Sequence, residues 1–354
     1  MHARKAVIVL GAGASKGASV SGKRTPPLDS DFLNVAANFF SRKKSRGKNS
    51  ASVKVWNAFR SHLKSAGLDF SEIKGWRLEQ LSTFLEARAS LRGMQLGQGQ
   101  PRNYAKALDY LKIIVCHVLK AEGGTRACEL HKSLFQSINP KAVISFNYDL
   151  IADQSLAALG MLDWKDELYR GARFAAVPTE DEKGLFYKGL YKVRGSKGTP
   201  LLKLHGSMHY GKLDRGTGFR LSGVHLPTKA DGMFEYALVP AEPYLIPPVA
   251  AKIEIKQQEL RDRWYAALDY LHEAPAWIIW GYSFPPTDTI SQVLFRTALT
   301  RNRKSKPVIV INPDFSVAKR VLDVCRKVSV EYYPSMERFL LERGDLIIPN
   351  EPTD

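Results

Sequence analysis

The chain is poor in cysteine, in acidic residues and in long apolar runs, and each shortage removes a class of protein. Three cysteines, Cys116, Cys128 and Cys325, are spread over 354 residues, and none lies in a CxxC pair. Neither a zinc ribbon nor a disulfide framework is supported by that spacing. No stretch approaches the roughly 18 uninterrupted apolar residues of a membrane span, so no membrane partner is expected. The N-terminus, MHARKAVIVLGAGAS, has an apolar run that is very short and enters a glycine turn where a signal peptide would have its cleavage site. A reducing cytoplasm is the expected location. Acidic residues number 35 against 52 Lys and Arg, a formal net charge of +17. That balance points to an acidic partner, a nucleic acid or an anionic ligand.

What is present is a globular composition. Hydrophobic residues make up 44% and charged residues 25%, which excludes wholesale disorder. The length suits one large α/β domain with insertions, or two domains. Residues 142–149, AVISFNYD, read as a buried β-branched strand that breaks into alternating polar and aromatic groups. In an open α/β sheet ligands bind outside the carboxyl ends of the strands, so such an ending can present a site. The plainer alternative is a strand-to-helix turn in which Asn147 or Asp149 caps a helix starting near Leu150.

Residues 6–10, AVIVL, form a second buried-strand run, which meets Gly11-Ala12-Gly13-Ala14-Ser15 with Gly17 beyond. Strand, glycine turn and helix is the phosphate-cradling arrangement of dinucleotide folds. The spacing is G-x-G-x-x-x-G, and no acidic residue ends a second strand about 20 residues on, as a dehydrogenase would need. Residues 32–136 turn helical, with apolar positions such as Val55, Trp56, Phe59 and Leu63 recurring at helical spacing. They are expected to form a helical insertion, interrupted by exposed loops at 41–52 and 92–102. A helix is expected over 150–162.

Residues 201–207, LLKLHGS, read as a short strand ending in His205, for which the commonplace role is a hydrogen-bonded histidine at a strand end. A hairpin-like excursion is expected over 208–236 and a proline-rich crossing loop over 241–249. Further strands are expected at 277–280 (WIIW), which ends in Gly281-Tyr282-Ser283, and at 307–311 (PVIVI), which ends in Asn312-Pro313-Asp314. One more helix and a short strand, 328–333, are expected to close the fold. Strand–helix alternation of this kind predicts a Rossmann-like, doubly wound parallel sheet.

Taken together, GAGAS (11–15), PPLDSDF (26–32), SFNYD (145–149), LKLHGS (202–207), IPP (246–248), GYSFPPTD (281–288) and INPD (311–314) resemble the sirtuin family. The resemblance is closer to the sirtuin-like NAD-consuming effectors of bacterial anti-phage defence. It spans nearly the whole chain in the family's order and implies a single sirtuin-like domain over 1–354. Residues 163–250 would be a mixed insertion and loops around the histidine strand. The resemblance implies that Gly11, Ala12, Gly13 and Ser15 bind the NAD+ pyrophosphate and that Asp31 lies near the cofactor. Asn147 would hold the ribose and the reacting water, Asp149 would face the nicotinamide amide, and His205 would be the catalytic histidine. Ser283 and Asn312 would contact the adenosine half, and Gly281 would also bind the cofactor. Deacylase members carry a four-cysteine zinc module that three scattered cysteines cannot build, so no zinc module and no metal are expected.

The resemblance therefore implies a hydrolase that cleaves NAD+ to nicotinamide and ADP-ribose and depletes it in antiviral defence. It would be gated by homo-oligomerisation, by a partner protein or by a nucleic-acid-sensing complex. The alternatives are an NAD-dependent protein deacylase or ADP-ribosyltransferase, and a non-catalytic NAD or ADP-ribose-binding subunit. Presence of both Asn147 and His205 speaks against the last, since binding alone needs neither. The basic runs at 41–48 and 301–306 read as solvated loops; no recognition motif makes them a nucleic-acid grip.

Overall fold

The fold is that of a computed structural model, which describes residues 5–17, 24–46, 51–90, 101–162, 173–174, 198–212, 219–221, 243–247, 258–300, 305–326 and 328–343. In chain order the strands are β1 (Val7–Leu10), β2 (Ala142–Ser145), β3 (Arg173–Phe174), β4 (Leu201–Lys203), β5 (Gly206–Lys212), β6 (Phe219–Leu221), β7 (Pro243–Leu245), β8 (Trp277–Trp280), β9 (Lys306–Ile311) and β10 (Val328–Tyr333). The helices before β2 are α1 (Ala12–Gly17), α2 (Phe32–Arg46), α3 (Ala51–Ser65), α4 (Phe70–Ile73), α5 (Leu78–Ser90), α6 (Pro101–Ala121) and α7 (Glu129–Ile138). Those after it are α8 (Ile151–Ala158), α9 (Gln258–Glu273), α10 (Thr289–Leu299), α11 (Ser316–Val324) and α12 (Met336–Arg343).

Six strands form one sheet in the order β10-β9-β8-β1-β2-β4, every pair parallel. The strands VIVL, AVIS and WIIW are buried along their whole length, as strands covered by helices on both faces must be. The chain steps outward from β1 through β2 to β4, then returns to the other side of β1 for β8, β9 and β10. The order therefore reverses between β1 and β8, and a crevice opens where the flanking loops part. This is the doubly wound α/β architecture the strand–helix alternation predicts.

The register levels the carboxyl ends. Lys203 pairs Ser145, Ser145 pairs Leu10, Leu10 pairs Trp280, Trp280 pairs Ile311, and Ile311 pairs Tyr333. Six strands thus stop in one row. At about 4.8 Å between neighbours, the row is about 24 Å long.

A second sheet, β3-β6-β5-β7, rests beside the first, with β5 antiparallel to both β6 and β7. Helices α2, α3, α5 and α6, with the short α4, build a separate apolar core around Phe40, Phe59, Leu63, Leu81, Leu85 and Ile114, which meets the rest through Leu150, Met208 and Leu245. Helix α7 instead packs Leu134, Phe135 and Ile138 into the sheet's core.

Several local expectations change. Residues 41–46 belong to α2 and are not a loop: Lys and Arg are good helix formers, and residues 41–44 are exposed. The crossing loop contains β7, whose Pro243 sits at the start of an edge strand, a position where proline is tolerated. The helix expected over 150–162 is shorter, and Leu162 bridges Thr199 beyond it. Helix α12 follows β10 and was not expected. Part of each basic run (47–48 and 301–304), residues 91–100, most of 163–197, Gly216, Gly218, His225 and Pro248 lie outside the described residues.

Candidate active site

The row of strand ends carries a cleft of about 700 Å³. That is within the size range of small-molecule and cofactor sites. Its wall includes the first residues beyond four neighbouring strands: Phe146, Gly11, Gly281 and Asn312. Gly11, Ala12, Gly13, Ser15, Asn147, Asp149, His205, Gly281, Ser283 and Asn312 all line it. Asp31 does not. It ion-pairs at 3.0 Å with Lys16, which does line the cleft.

Because these residues leave adjacent strands, their order along the cleft is set by the sheet. His205 follows β4, Asn147 follows β2, the glycine turn follows β1, Ser283 follows β8 and Asn312 follows β9. The histidine and Asn147 sit at one end, the glycine turn in the middle, and Ser283 and Asn312 at the other.

The glycine turn is packed against the loop after β8. The Gly13 N–H donates to the Gly281 carbonyl at 2.9 Å, and the Gly11 N–H to the Trp280 carbonyl at 3.0 Å. A Cβ on Gly13 would meet the Gly281 Cα at 2.9 Å, and one on Gly281, at φ +67°, would collide with the backbone of Gly13 and Ala14. These glycines let two loops touch at the switch point. The Gly13 N–H is spent within the protein.

Asn147 ties α1 to the loop after β2. Its Nδ2 donates to the Gly11 carbonyl at 2.8 Å and to Ser15 Oγ at 2.9 Å. A carbonyl can only accept, which fixes the amide's orientation and leaves Oδ1 as its acceptor. Ser15 Oγ donates to Asp149 Oδ2 at 2.6 Å, and Asp149 Oδ1 accepts the Ile151 N–H at 3.0 Å at the start of α8. The N-cap position of α8 is Leu150, so Asp149 makes its bond from one residue before the cap, and it also lines the cleft. Beneath it the buried Lys203 ammonium bonds the Asp149 carbonyl and reaches Asp153 Oδ2 at 3.2 Å. Burial pushes the Asp153 carboxyl up, and the Lys203 charge opposes that shift.

His205 is 7% exposed and walled by aromatic rings. Phe146 meets it edge-on at 5.1 Å and Trp264 lies at 6.1 Å. Its Nε2 is 3.7 Å from Asp288 Oδ2. Tyr282 stacks on Phe146 at 4.3 Å and donates its hydroxyl to the same Asp288 oxygen at 3.0 Å. Burial, reinforced by Asp288, drives the Tyr282 phenol well above its ordinary value, so it stays a protonated donor. Tyr148 is raised in the same way, and its hydroxyl bonds the Ile246 carbonyl.

Sequence reasoning assigned no role to Lys16, Tyr282 or Asp288. Lys16 could have been found as the cation of the GASK turn. Asp288 reads as a helix N-cap, which it also is, accepting the Ser291 N–H at 3.4 Å. Among the described residues, no group of three or more His, Cys, Asp or Glu side chains is placed to hold a metal ion. The three cysteines are buried and form no disulfide, Cys116 lying on α6, Cys128 just before α7 and Cys325 just after α11. No helix among the described residues is long and apolar enough to cross a membrane.

No protein-family model matches the chain, and no curated protein matches its sequence. Low-level similarity exists to solved structures. A Sir2 homologue in complex with NAD aligns over 97% of this chain and 89% of its own, with 12% identity and a TM-score of 0.44. A mutant Sir2 homologue in complex with 2′-O-acetyl ADP-ribose aligns over 98% and 95%, with 15% identity and a TM-score of 0.42. Sir2 bound to an acetylated peptide aligns over 97% and 94%, with 12% identity and a TM-score of 0.39. At these values the roles of the site residues rest on the geometry of this chain.

Proposed function

We propose that the cleft binds NAD+ and hydrolyses its nicotinamide–ribose bond, releasing nicotinamide and ADP-ribose. The observation that carries the reading is the linear order of groups along the row of strand ends. A buried histidine and an amide lie at one end, a glycine turn with a lysine in the middle, and polar Ser283 and Asn312 at the other. A dinucleotide has the matching order of reacting riboside, pyrophosphate and second nucleoside. Lys16, held by Asp31, supplies a cation for the pyrophosphate.

Nicotinamide departs as a neutral base from a cationic ring, so the leaving group needs no acid. The demands are to orient the sugar, to exclude bulk water and to take a proton from the attacking water. The aromatic wall around His205 answers the second demand. His205 takes the proton, imidazole being the side chain whose charge change suits proton transfer close to neutral pH. Asn147 cannot act as a base, but Oδ1 accepts a hydrogen bond from the ribose or the water. The resemblance alone supports the further reading that this activity depletes NAD+ in antiviral defence and is gated by assembly or a partner.

The test is turnover beside binding in His205→Ala. General-base catalysis contributes about 10²–10⁴-fold, so NAD+ cleavage should fall at least about a hundredfold while NAD+ affinity is kept. Near-normal hydrolysis by this variant would refute the assignment. Asn147→Ala is the less clean probe, because it also cuts the tie between α1 and the loop after β2.

A further inference from the structure

We infer that Asp288 is the positioning residue of His205: it fixes the imidazole tautomer and holds the imidazolium that forms when His205 takes a proton. The inference rests on the NAD+-hydrolysis reading for its chemistry, but its geometry stands apart from it. Asp288 belongs to the loop after β8, 83 positions along the chain from His205. The loop brings it back through Phe284, a non-glycine residue at φ +50°. That left-handed conformation is costly for a bulky side chain and persists only where surroundings impose it. Phe284 is 1% exposed, wedged at 4.8 Å from both Tyr282 and Phe295.

The result is a carboxylate only 6% exposed, with one oxygen on the helix cap and the other turned to the site. Oδ1 accepts the Ser291 N–H. Oδ2 accepts the Tyr282 hydroxyl at 3.0 Å and stands 3.7 Å from His205 Nε2. A helix cap needs one oxygen near the surface. It does not call for a tyrosine hydroxyl aimed at the second oxygen, nor for a histidine beside it. Burying a carboxylate is expensive unless partners repay the lost hydration, and these two groups are such partners.

The chemical consequence follows from the two nitrogens of the ring. With Nε2 carrying its hydrogen toward Asp288, Nδ1 holds the lone pair and is the basic atom. When water attacks the ribosyl carbon, the carbon–nitrogen bond electrons leave with nicotinamide and the water proton passes to Nδ1. The imidazolium then faces the Asp288 charge across a gap that closes readily to a charge-assisted hydrogen bond. The proton later returns to solvent, so one NAD+ and one water give nicotinamide, ADP-ribose and one proton. The arrangement follows the division of labour of a catalytic triad, with the water in place of the serine.

Other ionisable groups sit on the elements packed around the ring: Tyr148 and Asp149 after β2, Arg263 on α9 beside Trp264, and Tyr282 after β8. None of them is altered by Asp288→Asn, which keeps shape and, asparagine being as good an N-cap as aspartate, keeps the cap. The experiment is an NMR titration of the His205 ring in the full chain without ligand, its signal assigned by its loss in His205→Ala. It is run beside steady-state NAD+ cleavage. Removing a charge at this distance from a buried ring should lower the His205 pKa by at least about one unit. The kcat should fall about ten- to a hundredfold with KM little changed, within what general-base catalysis supplies. Asp288→Glu should recover part of both. A His205 pKa unchanged in a folded Asp288→Asn protein overturns the inference, as does an unchanged kcat. If the wild-type chain proves not to cleave NAD+, the titration alone decides the matter, so failure of the functional reading and failure of this one are told apart.

Discussion

At the scale of single residues, the glycines of the switch point are held by packing. Gly281 is the sharpest case, since its positive φ and the adjacent backbone of Gly13 and Ala14 both forbid a side chain. A non-glycine residue in a disfavoured backbone region costs about 1–3 kcal/mol. Overpacking adds about 1–3 kcal/mol more. Gly281→Ala should therefore lower the urea-unfolding free energy by about 2–6 kcal/mol. Gly67→Ala is the internal control, at φ +78° but with open space around it. It should lose only about 1–2 kcal/mol, the left-handed cost alone. Equal losses would mean that the contact between the two loops contributes nothing. The same geometry changes the meaning of Gly13, which sequence reasoning casts as a place for a pyrophosphate to approach. Its Cα faces Gly281, so Gly13→Val damages the fold before it touches a ligand. Such a contact joins positions far apart in the chain and has no local sequence signature. The identity of the glycine was legible, but its neighbour was not.

At the scale of elements, α7 carries a pH response. His131 is 1% exposed, its ring 4.3 Å from Trp280 of β8. Burial lowers its pKa from 6.5 to about 3. The folded value lies below the unfolded one, so the folded state binds fewer protons through that window. The contribution to stability is complete above about pH 6.5 and drains away as the pH falls toward about 3. Between pH 7 and pH 5 the loss is about 2 kcal/mol, from about 1.4 kcal/mol per pKa unit. In His131→Phe, the drop in unfolding free energy over that interval should be smaller by about this amount. An identical drop would place the pH response elsewhere.

The elements also show what the sequence could announce. β1, β2, β8 and β9 are short apolar runs that end in glycine or polar residues, and they were legible because a parallel strand covered on both faces must be apolar throughout. Helix α2 was foreshortened because its last turn is polar and basic, without an apolar stripe to follow. In the second sheet, the antiparallel pair of β5 and β6 falls within the hairpin-like excursion expected over 208–236, but β7 was hidden because PYL has no clean alternation and its pairing is set by a partner elsewhere in the chain. Ten of the residues lining the cleft were named in advance for the same reason the strands were: they stand within a few positions of the strand ends. Asp288 was not, because its reach to His205 depends on the turn at Phe284.

At the scale of the molecule, the helical layer and the sheet have separate apolar cores that meet through few side chains, Leu150, Met208 and Leu245 among them. The cleft runs under that junction, since Leu78, Val115 and Leu119 of the helical layer line it beside the strand-end residues. A cleft walled by both layers responds to anything that shifts one against the other. With a net charge of +17 the chain also carries a surface that salt should uncouple from any acidic partner. If assembly gates the activity, NAD+ cleavage per chain should rise with protein concentration in step with the mass seen by light scattering. A constant rate per chain from dilute to concentrated samples would sink that proposal. The most direct check on the central claim is made at the concentrated end of the same series. Purified chain is given NAD+ with no protein acceptor, and nicotinamide and free ADP-ribose are counted together. Hydrolysis in the cleft predicts one free ADP-ribose for each nicotinamide; intact NAD+, or ADP-ribose found attached to protein, would contradict it.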